Sequence, residues 1–397
     1  MPGDSTITIV HLAVDHNTPH RPPTTHAIEW FVEELNAFDN IVIALRRSAH
    51  PTAREAPREC PATGYRLYDM AYFGLPLGIG LHGAMRRVAR RVIAMIEQSG
   101  TRPDLIHAHK LTFEGLAGWY VARHFGVPLF VSLRGEVETK VFRFKPVLRK
   151  VLRDVAAYAT RLYFVSAWFE EEFHRYAPGW VAKERRLPNI VRNIAPKIEV
   201  QPPLDAFVAV LNLDTRKRKG LRWLLDGFAL AARQEPGMKL DIIGGGSEQS
   251  IAAVRKMIAA RGLDEVVRLL GPMPNDALLA RMPAYRGLLL PSLNETFGMV
   301  YVEALFAGIP IVYTAGTAID GYLDDLAVSI AVAPRDVDAI SAAVLELWRR
   351  SDEFRINLAT AAPQLFATFD PEVSLAAYRR DVIDAVGHRP KIIDDQE

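Results

Sequence analysis

The stretch PSLNETFGMVYVEA, residues 291–304, decides the fold because a buried strand ends where it begins and a helix opens within it. The pattern predicts the strand over 287–291 and the helix over 299–307. Short aliphatic runs alternate with segments of helical period on both sides of this stretch, which is typical of an α/β protein with parallel sheets. Two carboxylates, Glu295 and Glu303, flank a Phe-Gly turn at the predicted helix start.

The start of that helix is suited to an anion. The N–H groups of Met299 and Val300 have no partner within the helix, so they are available to a negatively charged group. Carboxylates beside that point would repel a bare phosphate, but they accept hydrogen bonds from hydroxyls. The residues therefore fit a ligand that carries sugar hydroxyls on either side of a diphosphate.

The chain has 397 residues, enough for two or three domains. We predict two doubly wound domains, 1–195 and 196–371, joined by a proline-rich hinge near 190–204. A C-terminal helix over 372–397 is expected to pack back on the first domain. Ligands of doubly wound sheets bind beyond the carboxyl ends of the strands, so two facing domains predict a site in the cleft between them. The polar, proline-rich segment 48–68 is expected to be a surface loop.

Composition excludes several classes of protein. Lys and Arg total 48 against 46 for Asp and Glu, a balance too even for a polyanion-binding chain, and no nucleic-acid-binding module is evident. A single cysteine, Cys60, excludes a disulfide framework and any multi-cysteine metal site, and it favours a reducing compartment. The apolar stretch 71–81 is too short to span a bilayer, and no secretory signal is visible, so we expect a cytoplasmic protein.

The stretch that decides the fold also resembles a known family. Its pattern P-S-x-x-E-x-F-G-x-x-x-x-E-A-x-x-x-G-x-P is similar to the Glu-x7-Glu signature of retaining glycosyltransferases with the GT-B fold, specifically glycosyltransferase family 4. The resemblance implies that Glu295 contacts hydroxyls of the donor sugar and Glu303 the ribose of the nucleotide. It also implies that backbone amides hold sugar or phosphate oxygens, at Phe297, Gly298, Met299 and Val300. The alternative is a pair of solvated glutamates.

A run of cations, NLDTRKRKG at residues 212–220, lies between a predicted strand and a predicted helix. Such a run is usually a solvated loop, but at a strand end it can neutralise a diphosphate leaving group without a metal ion. Family members carry an Arg and a Lys-Gly here on the donor phosphates. Lys219 matches the second part, whereas Asn212 stands about where the Arg is expected. We expect Lys219 to bind phosphate, with Arg216 or Arg218 as its partner.

Two further loops are candidates for contact with the nucleotide. Gly244 and Gly245 follow a predicted strand but lack the G-x-G-x-x-G spacing of a dinucleotide fold. In the family that this chain resembles, a glycine pair here lets the backbone approach the nucleotide, and the loop at Pro272 and Met273 lies against the base. A tight turn without a ligand is the alternative for each loop.

In the first half of the chain, Asp104-Leu105-Ile106-His107-Ala108-His109 resembles a strand end of the same family, and Arg134 stands where many members carry a histidine. Alternation along a strand points His107 and His109 the same way, with His109 nearer the ligand. We expect His109 and Arg134 to act in the reaction; a core histidine is the alternative. No third metal ligand stands out, so we expect no metal ion. The first loop, HNTPHRPPTT at 16–25, replaces a Gly-Gly that many members have.

Two basic, partly apolar stretches also fit peripheral attachment to the anionic inner face of a membrane. The first carries Arg86, Arg87, Arg90 and Arg91, and the second carries Arg143, Lys145, Arg149, Lys150 and Arg153. A solvated face is the alternative for both stretches.

The resemblance implies transfer of a hexosyl unit from a nucleotide-diphosphate sugar to an acceptor hydroxyl, with retained configuration and no cofactor. The acceptor would belong to polysaccharide, glycolipid or glycoconjugate synthesis. Two alternatives stay open: an epimerase of nucleotide sugars on the same fold, and a non-catalytic nucleotide-sugar-binding subunit. The second alternative stays open because the chain departs from the family's pattern at Asn212, at Arg134 and in the first loop.

Overall fold

The computed structural model describes residues 6–20, 25–50, 57–192, 194–199, 202–324 and 326–387. The chain divides into two compact units. Unit 1 comprises Met1–Val165, Phe169–Ile190 and Pro371–Glu397, and unit 2 comprises Ser166–Trp168 and Val191–Asp370. Parts of four predictions lie outside the described residues: 21–24 of the first loop, 51–56 of the predicted surface loop, 193 and 200–201 of the hinge, and 388–397 of the C-terminal helix.

Unit 1 is built on an eight-stranded sheet in the order β3-β4-β2-β1-β5-β6-β7-β8, in which only the β3–β4 pair is antiparallel. Its strands are β1 Thr8–Ala13, β2 Asp39–Ser48, β3 Arg58–Cys60, β4 Arg66–Phe73, β5 Leu105–Ala108, β6 Leu129–Leu133, β7 Arg161–Phe164 and β8 Glu184–Arg186. Its helices are α1 Ala27–Glu33, α2 Leu81–Gln98, α3 Phe113–Phe125, α4 Glu136–Phe144, α5 Pro146–Tyr158 and α6 Phe169–Tyr176. Every residue of β1, β5 and β6 is buried, as expected of strands covered on both faces.

Unit 2 has an all-parallel six-stranded sheet in the order β11-β10-β9-β12-β13-β14. The strands are β9 Ala206–Val210, β10 Lys239–Ile243, β11 Val267–Gly271, β12 Leu288–Leu289, β13 Ile311–Thr314 and β14 Ser329–Val332. The helices are α7 Leu221–Gln234, α8 Glu248–Ala259, α9 Asn275–Arg281, α10 Met299–Phe306, α11 Val337–Arg349 and α12 Ser351–Phe369.

The last described helix, α13 Pro371–Gly387, belongs to unit 1. Its Asp381 carboxylate accepts hydrogen bonds from Arg161 Nε at 2.6 Å and from the Tyr163 hydroxyl at 2.8 Å, both on β7. Tyr378, one helical turn earlier and fully buried, bonds to His107 Nδ1 at 2.9 Å. Buried polar contacts therefore fix this helix to the sheet of unit 1.

The sequence predictions of secondary structure were wrong in two places and incomplete in a third. The segment 48–68 is not a loop throughout, since it contains β3 and the start of β4, which pairs with β2 along eight residues. The helix expected over 27–38 ends at Glu33. The residues 351–369, to which no element was assigned, form α12, which continues through an internal Pro363. That proline and the helix's nearly unsegregated polar and apolar residues explain why its pattern was not recognised.

The strand order gives each sheet a switch point, which is the place from which successive strands are added in opposite directions. In unit 1 it lies between β1 and β5, and in unit 2 between β9 and β12. Ligands of doubly wound sheets bind beyond the carboxyl ends of the strands at such a point. The residues that follow β9 and β12 are the cation run and the Glu-x7-Glu segment, and those that follow β1 and β5 include His109.

Candidate active site

An ion pair joins the two loops at the switch point of unit 2. Lys219 Nζ, from the loop after β9, contacts Glu295 Oε2, from the loop after β12. Both side chains are largely shielded from water, with 14% and 12% of their surface exposed. Sequence reasoning placed both residues in the site but did not predict that they pair.

Backbone packing fixes this pair from the Lys219 side. Gly220 has φ +70°, and a Cβ there would lie 2.1 Å from the carbonyl oxygen of Pro291. Only glycine permits both the left-handed backbone and this close approach of the two loops. Leu293 N–H then donates to the Arg218 carbonyl at 2.9 Å, which ties the same loops together a second time.

Side chains that the sequence analysis did not select fix the pair from the Glu295 side. The Thr317 hydroxyl accepts from Glu295 N–H and donates to the Glu295 carbonyl, each at 2.9 Å. The Thr296 carbonyl accepts from Ser166 Oγ at 2.7 Å and from Trp168 Nε1 at 3.1 Å. Thr317 lies 22 positions away in sequence, and no local pattern links it to Glu295.

The structure separates the two candidate arginines. Arg218 Nη1 donates to the Asn294 carbonyl at 3.4 Å, next to Glu295. Arg216 Nη1 instead donates to Ser250 Oγ at 2.8 Å and to the Leu213 carbonyl at 3.1 Å. Arg218 is therefore the arginine beside Lys219 and Glu295, and Arg216 supports the neighbouring loop.

That neighbouring loop is organised around Asp214. Its carboxylate accepts from the backbone N–H of Ser247 at 3.0 Å and from the Ser247 hydroxyl at 2.7 Å. Hydrogen bonds from Ser250 and Ser247 lower the pKa of Asp214 to about 2, so this carboxylate is ionised at neutral pH. It reinforces the link between the loops after β9 and β10.

The two predicted nucleotide loops lie side by side. Gly244 N–H donates to the Gly271 carbonyl at 2.8 Å, and a Cβ on Gly245 would touch Pro272 at 3.4 Å. Gly244 has φ +144°, and a Cβ there would lie 1.9 Å from the Leu211 carbonyl. The absence of a side chain at Gly244 is thus required by the protein's own backbone. Pro272 is exposed and Met273 half-buried, so both are accessible.

The Glu-x7-Glu segment adopts the predicted layout. Glu295 lies in the loop after β12, and α10 begins at Met299 after the left-handed N-cap residue Gly298. Phe297 is fully buried and packs edge-on against Tyr322, so only its backbone is available to a ligand. Burial raises the pKa of Glu303, on the first turns of α10, and a hydrogen bond with Asn275 opposes that shift.

In unit 1, His109 and Arg134 lie at the carboxyl ends of β5 and β6. Both are buried, and Arg134 Nε donates to the His109 carbonyl at 3.0 Å while its Nη1 donates to Asn189 Oδ1 at 3.2 Å. The rings of His107 and His109 stack with centroids 4.2 Å apart, which confirms that they point the same way. Desolvation by burial lowers the pKa of Arg134.

A third histidine joins this pair, which the sequence analysis did not foresee. His11 on β1 is in register with His107, and the candidate ligand atoms of His11, His107 and His109 lie within 4.8 Å of one another. Both nitrogens of His11 contact other side chains, and so do both nitrogens of His107. A metal ion would therefore have to break these contacts. The signal available in the sequence was His11 itself, a histidine within an apolar run that is typical of a buried strand.

The first basic stretch forms a groove on the surface of unit 1. A cavity of about 410 Å³ between α2 and α3 is lined by Arg86, Ala89, Arg90, Ile93, Tyr120, Arg123 and His124. Arg91 is not part of it, because its Nη1 donates to the Ala71 carbonyl at 2.7 Å. In the second stretch, Phe144 and Val147 are exposed at 68% and 89%. None of the helices in the described part of the chain has the length and apolar character needed to cross a membrane.

Comparison with known proteins identifies the family. Residues 205–350 match the family model described as glycosyl transferases group 1, and residues 24–189 match that of the glycosyl transferase 4-like domain. A 2-deoxystreptamine N-acetyl-D-glucosaminyltransferase from Streptomyces fradiae is 26% identical over 72% of this chain and 73% of its own length. The chain spans about half of a D-inositol 3-phosphate glycosyltransferase from Streptomyces avermitilis, at 26% identity over 54% of this chain.

Solved structures share the fold at low identity. Sucrose-phosphate synthase from Thermosynechococcus elongatus superposes with a TM-score of 0.72 at 18% identity, over 95% of this chain and 100% of that one. Anabaena HepE, solved in complex with UDP and glucose, gives a TM-score of 0.66 at 16% identity, over 95% and 99% of the two chains.

The family models and the glycosyltransferase relatives define a glycosyltransferase that depends on a nucleotide sugar, and the solved structures show that its fold is of the GT-B class. The chain belongs to the group 1 glycosyltransferases, with a glycosyl transferase 4-like domain in its first half. The predicted family and fold class are thereby confirmed.

Proposed function

We propose that this enzyme transfers a hexosyl unit from a nucleotide-diphosphate sugar to an acceptor hydroxyl, with retention of the anomeric configuration. The observation that carries the proposal is the pairing of Lys219 with Glu295 at the switch point of the unit 2 sheet, beside the start of α10. A cation, a carboxylate and free helix N–H groups at one strand end suit a diphosphate bonded to a sugar.

The step that needs most assistance is departure of the diphosphate, on which negative charge develops. Lys219, Arg218 and the N–H groups of Met299 and Val300 would stabilise that charge, each contributing about 2–4 kcal/mol by analogy with the deletion of single oxyanion donors. Glu295 would accept hydrogen bonds from sugar hydroxyls and Glu303 from the ribose. The acceptor oxygen would attack from the face that the diphosphate leaves, because no residue is assigned as a covalent nucleophile.

The cations of the unit 2 site support a mechanism without a metal ion. Lys219 and Arg218 together supply two positive charges to a diphosphate that needs neutralising. We expect turnover to be unchanged when the enzyme is dialysed against a chelator and assayed in its presence. A loss of turnover that magnesium or manganese restores would contradict this part of the proposal.

We propose a uridine diphosphate hexose as the first donor to test, since the structural neighbour HepE was solved with UDP and glucose. Screening nucleoside diphosphates by thermal shift identifies the base, because a ligand of the native state raises the melting temperature. Incubating the matching sugar nucleotide with and without acceptors then identifies the reaction. Product formed without an acceptor and without hydrolysis would indicate an epimerase, and binding without turnover would indicate a non-catalytic subunit.

The role of Glu295 is tested by Glu295→Gln, which keeps the side-chain volume but removes the charge and the partner of Lys219. We expect turnover to fall by about 100-fold or more, the scale of losing one electrostatic contact to a transition state. The exposed Glu248→Gln, at the first position of α8, is the matched control and should leave turnover unchanged. Equal turnover of Glu295→Gln and wild type would refute the assignment.

The basic stretches of unit 1 support a second proposal, that the enzyme binds anionic membranes peripherally. Phe144 and Val147 project into solvent beside Arg143 and Lys145, a combination of apolar and cationic groups that suits an anionic bilayer surface. Cosedimentation with phosphatidylglycerol vesicles should exceed that with phosphatidylcholine vesicles. Replacing Phe144 and Val147 with serine should reduce it, whereas Ile356→Ser, equally exposed on α12, should not. No difference between the two lipids would refute the proposal.

A further inference from the structure

Three histidines form a buried cluster: His11 on β1, His107 on β5 and His109 just after β5. His11 and His107 are fully buried and His109 is 2% exposed. Burial lowers the pKa of His11 to about 4, and burial followed by neighbouring positive charges lowers the pKa of His107 and of His109. All three imidazoles are therefore neutral at physiological pH, and each carries a single ring proton.

Asn40, at the start of β2, determines where the proton of His11 lies. Its Nδ2 is 2.8 Å from the Leu35 carbonyl and 3.1 Å from the Phe38 carbonyl. Carbonyl oxygens only accept hydrogen bonds, so the amide nitrogen must face them and Oδ1 must face the other way. Asn40 Oδ1 is 3.1 Å from His11 Nε2, which must therefore carry the proton of that ring.

The position of the proton on His11 determines where the proton of His109 lies. Because His11 is neutral and protonated at Nε2, its Nδ1 has only a lone pair. That Nδ1 lies 3.1 Å from His109 Nε2, so the proton of His109 lies on Nε2 and its Nδ1 carries the lone pair. Within the described part of the chain, His109 Nδ1 has no assigned hydrogen bond.

His109 lines a small cavity in unit 1 together with Ser132, Arg134 and Asn189. The Arg134 guanidinium donates from Nε to the His109 carbonyl and from Nη1 to Asn189 Oδ1. An unprotonated ring nitrogen attracts a hydrogen-bond donor and repels an oxyanion, and the donors that a sugar offers are its hydroxyls.

We propose that Asn40 and His11 are positioning residues that hold His109 as a hydrogen-bond acceptor for a hydroxyl of a sugar substrate. The proposal rests on the proposed function for the identity of the substrate, but the tautomer itself does not. An unprotonated Nδ1 has one lone pair, which can accept a hydrogen bond from one hydroxyl and fix the orientation of that hydroxyl. His107, whose nitrogens face Ser132 and Tyr378, has no such free position.

Nitrogen NMR of the enzyme labelled at its 11 histidines tests the tautomer directly. The signals of His109 are identified by their loss in His109→Gln. We expect an unprotonated Nδ1 and a protonated Nε2 in the wild type, and a mixture of tautomers in His11→Phe, which keeps a ring against Phe31 but removes the acceptor. A protonated Nδ1 in the wild type would overturn the proposal, whether or not the variant folds.

Steady-state kinetics with a matched control test whether the tautomer of His109 affects turnover. His11→Phe should lower kcat for donor turnover by about tenfold to a hundredfold with little change in the KM of the donor, because a misoriented hydroxyl slows the reaction. Tyr378→Phe removes a buried hydrogen bond to the neighbouring His107 and should leave kcat unchanged. Equal losses in both variants, or none in His11→Phe, would overturn the positioning role.

A sulfate titration tests the expected ligand class. Sulfate carries no proton at neutral pH, so we expect it to leave the Nδ1 signal of His109 unchanged. If Nδ1 takes up a proton from solvent when sulfate binds, the cavity is an anion site and the assignment to a hydroxyl is overturned. Because the spectra of the ligand-free enzyme need no turnover, failure of the tautomer assignment is distinguishable from failure of the proposed transferase reaction.

Discussion

Lys219 and Glu295 neutralise one another in the absence of ligand, and this pairing has a consequence for binding. A diphosphate that approaches Lys219 competes with Glu295 for the same cation, so the carboxylate is released to accept hydrogen bonds from sugar hydroxyls. The pair is mostly shielded from solvent, which makes its charges interact more strongly than those of an exposed pair. Under the proposed function, a nucleotide sugar would satisfy both partners at once.

Lys219→Ala should therefore weaken binding of the free nucleoside diphosphate by about tenfold to a hundredfold, the effect expected from losing a hydrogen bond to a charged group. Isothermal titration calorimetry measures it. Lys217→Ala, two residues away and exposed, is the matched control and should bind as the wild type does. Unchanged affinity in Lys219→Ala would argue against a phosphate contact.

Glu114, on the first turn of α3, is a buried carboxyl whose Oε1 accepts from Val14 N–H at 2.8 Å. Burial raises its pKa from 4.5 to about 7, although the charge of Lys110 opposes the shift. The folded state therefore holds a proton that the unfolded state releases, and stability falls as pH rises from about 4.5 to 7. The loss amounts to up to about 3 kcal/mol.

Glu114→Gln should abolish this loss, because glutamine keeps the acceptor for Val14 and does not ionise. We expect the variant to exceed the wild type in free energy of unfolding at pH 8 and to show no such advantage at pH 4. Urea unfolding at both pH values measures the difference. A constant difference between the two proteins across this range would contradict the assignment.

Helix α7 begins where the loop after β9 touches the loop after β12. Gly220, the residue before it, is confined by the Pro291 carbonyl and by its left-handed backbone. The element therefore sets the position of Lys219 relative to Glu295, since the chain cannot shift without separating the two loops. The site depends on this glycine as much as on the charged residues.

Gly220→Ala should reduce the free energy of unfolding by several kcal/mol and weaken nucleotide binding, since its Cβ would overlap the Pro291 carbonyl. Gly262→Ala is the matched control, because Gly262 has φ +64° with nothing within 4 Å of the added Cβ. The control should lose only about 1–2 kcal/mol, the cost of a left-handed backbone. Similar losses in both variants would show that packing against Pro291 is unimportant.

At the scale of the whole chain, α13 belongs to unit 1 although it follows unit 2 in the sequence. Leu375, Tyr378 and Val382 are fully buried and belong to the core cluster of unit 1. The helix also supplies Asp381 to Arg161 and Tyr163. The stability of unit 1 therefore depends on residues that are far from it in sequence.

Ending the chain after Asp370 should expose this part of the unit 1 core and lower the temperature at which unit 1 unfolds. Ending it after Gly387 is the control, since α13 is then retained. Calorimetry of the two truncated proteins separates the outcomes. An unchanged melting profile after removal of α13 would contradict the packing described for Leu375 and Tyr378.

Local sequence pattern was sufficient for the fold class, the family and the placement of Glu295 and Glu303, because strand and helix periods and a strand-turn-helix motif are properties of neighbouring residues. It was insufficient for β3, β4 and α12. The pairing of β4 with β2 is a tertiary contact, and the internal Pro363 of α12 is tolerated only because the helix packs against the rest of unit 2.

The partners of the site residues required the folded chain. Lys219 meets Glu295 across 76 positions, and His109 meets His11 across 98. Sequence alternation oriented His109 but could not reveal Asn40, whose amide determines where the ring protons lie. Hydrogen bonds between distant strand ends depend on register and crossover order, which the pattern of any one segment does not contain.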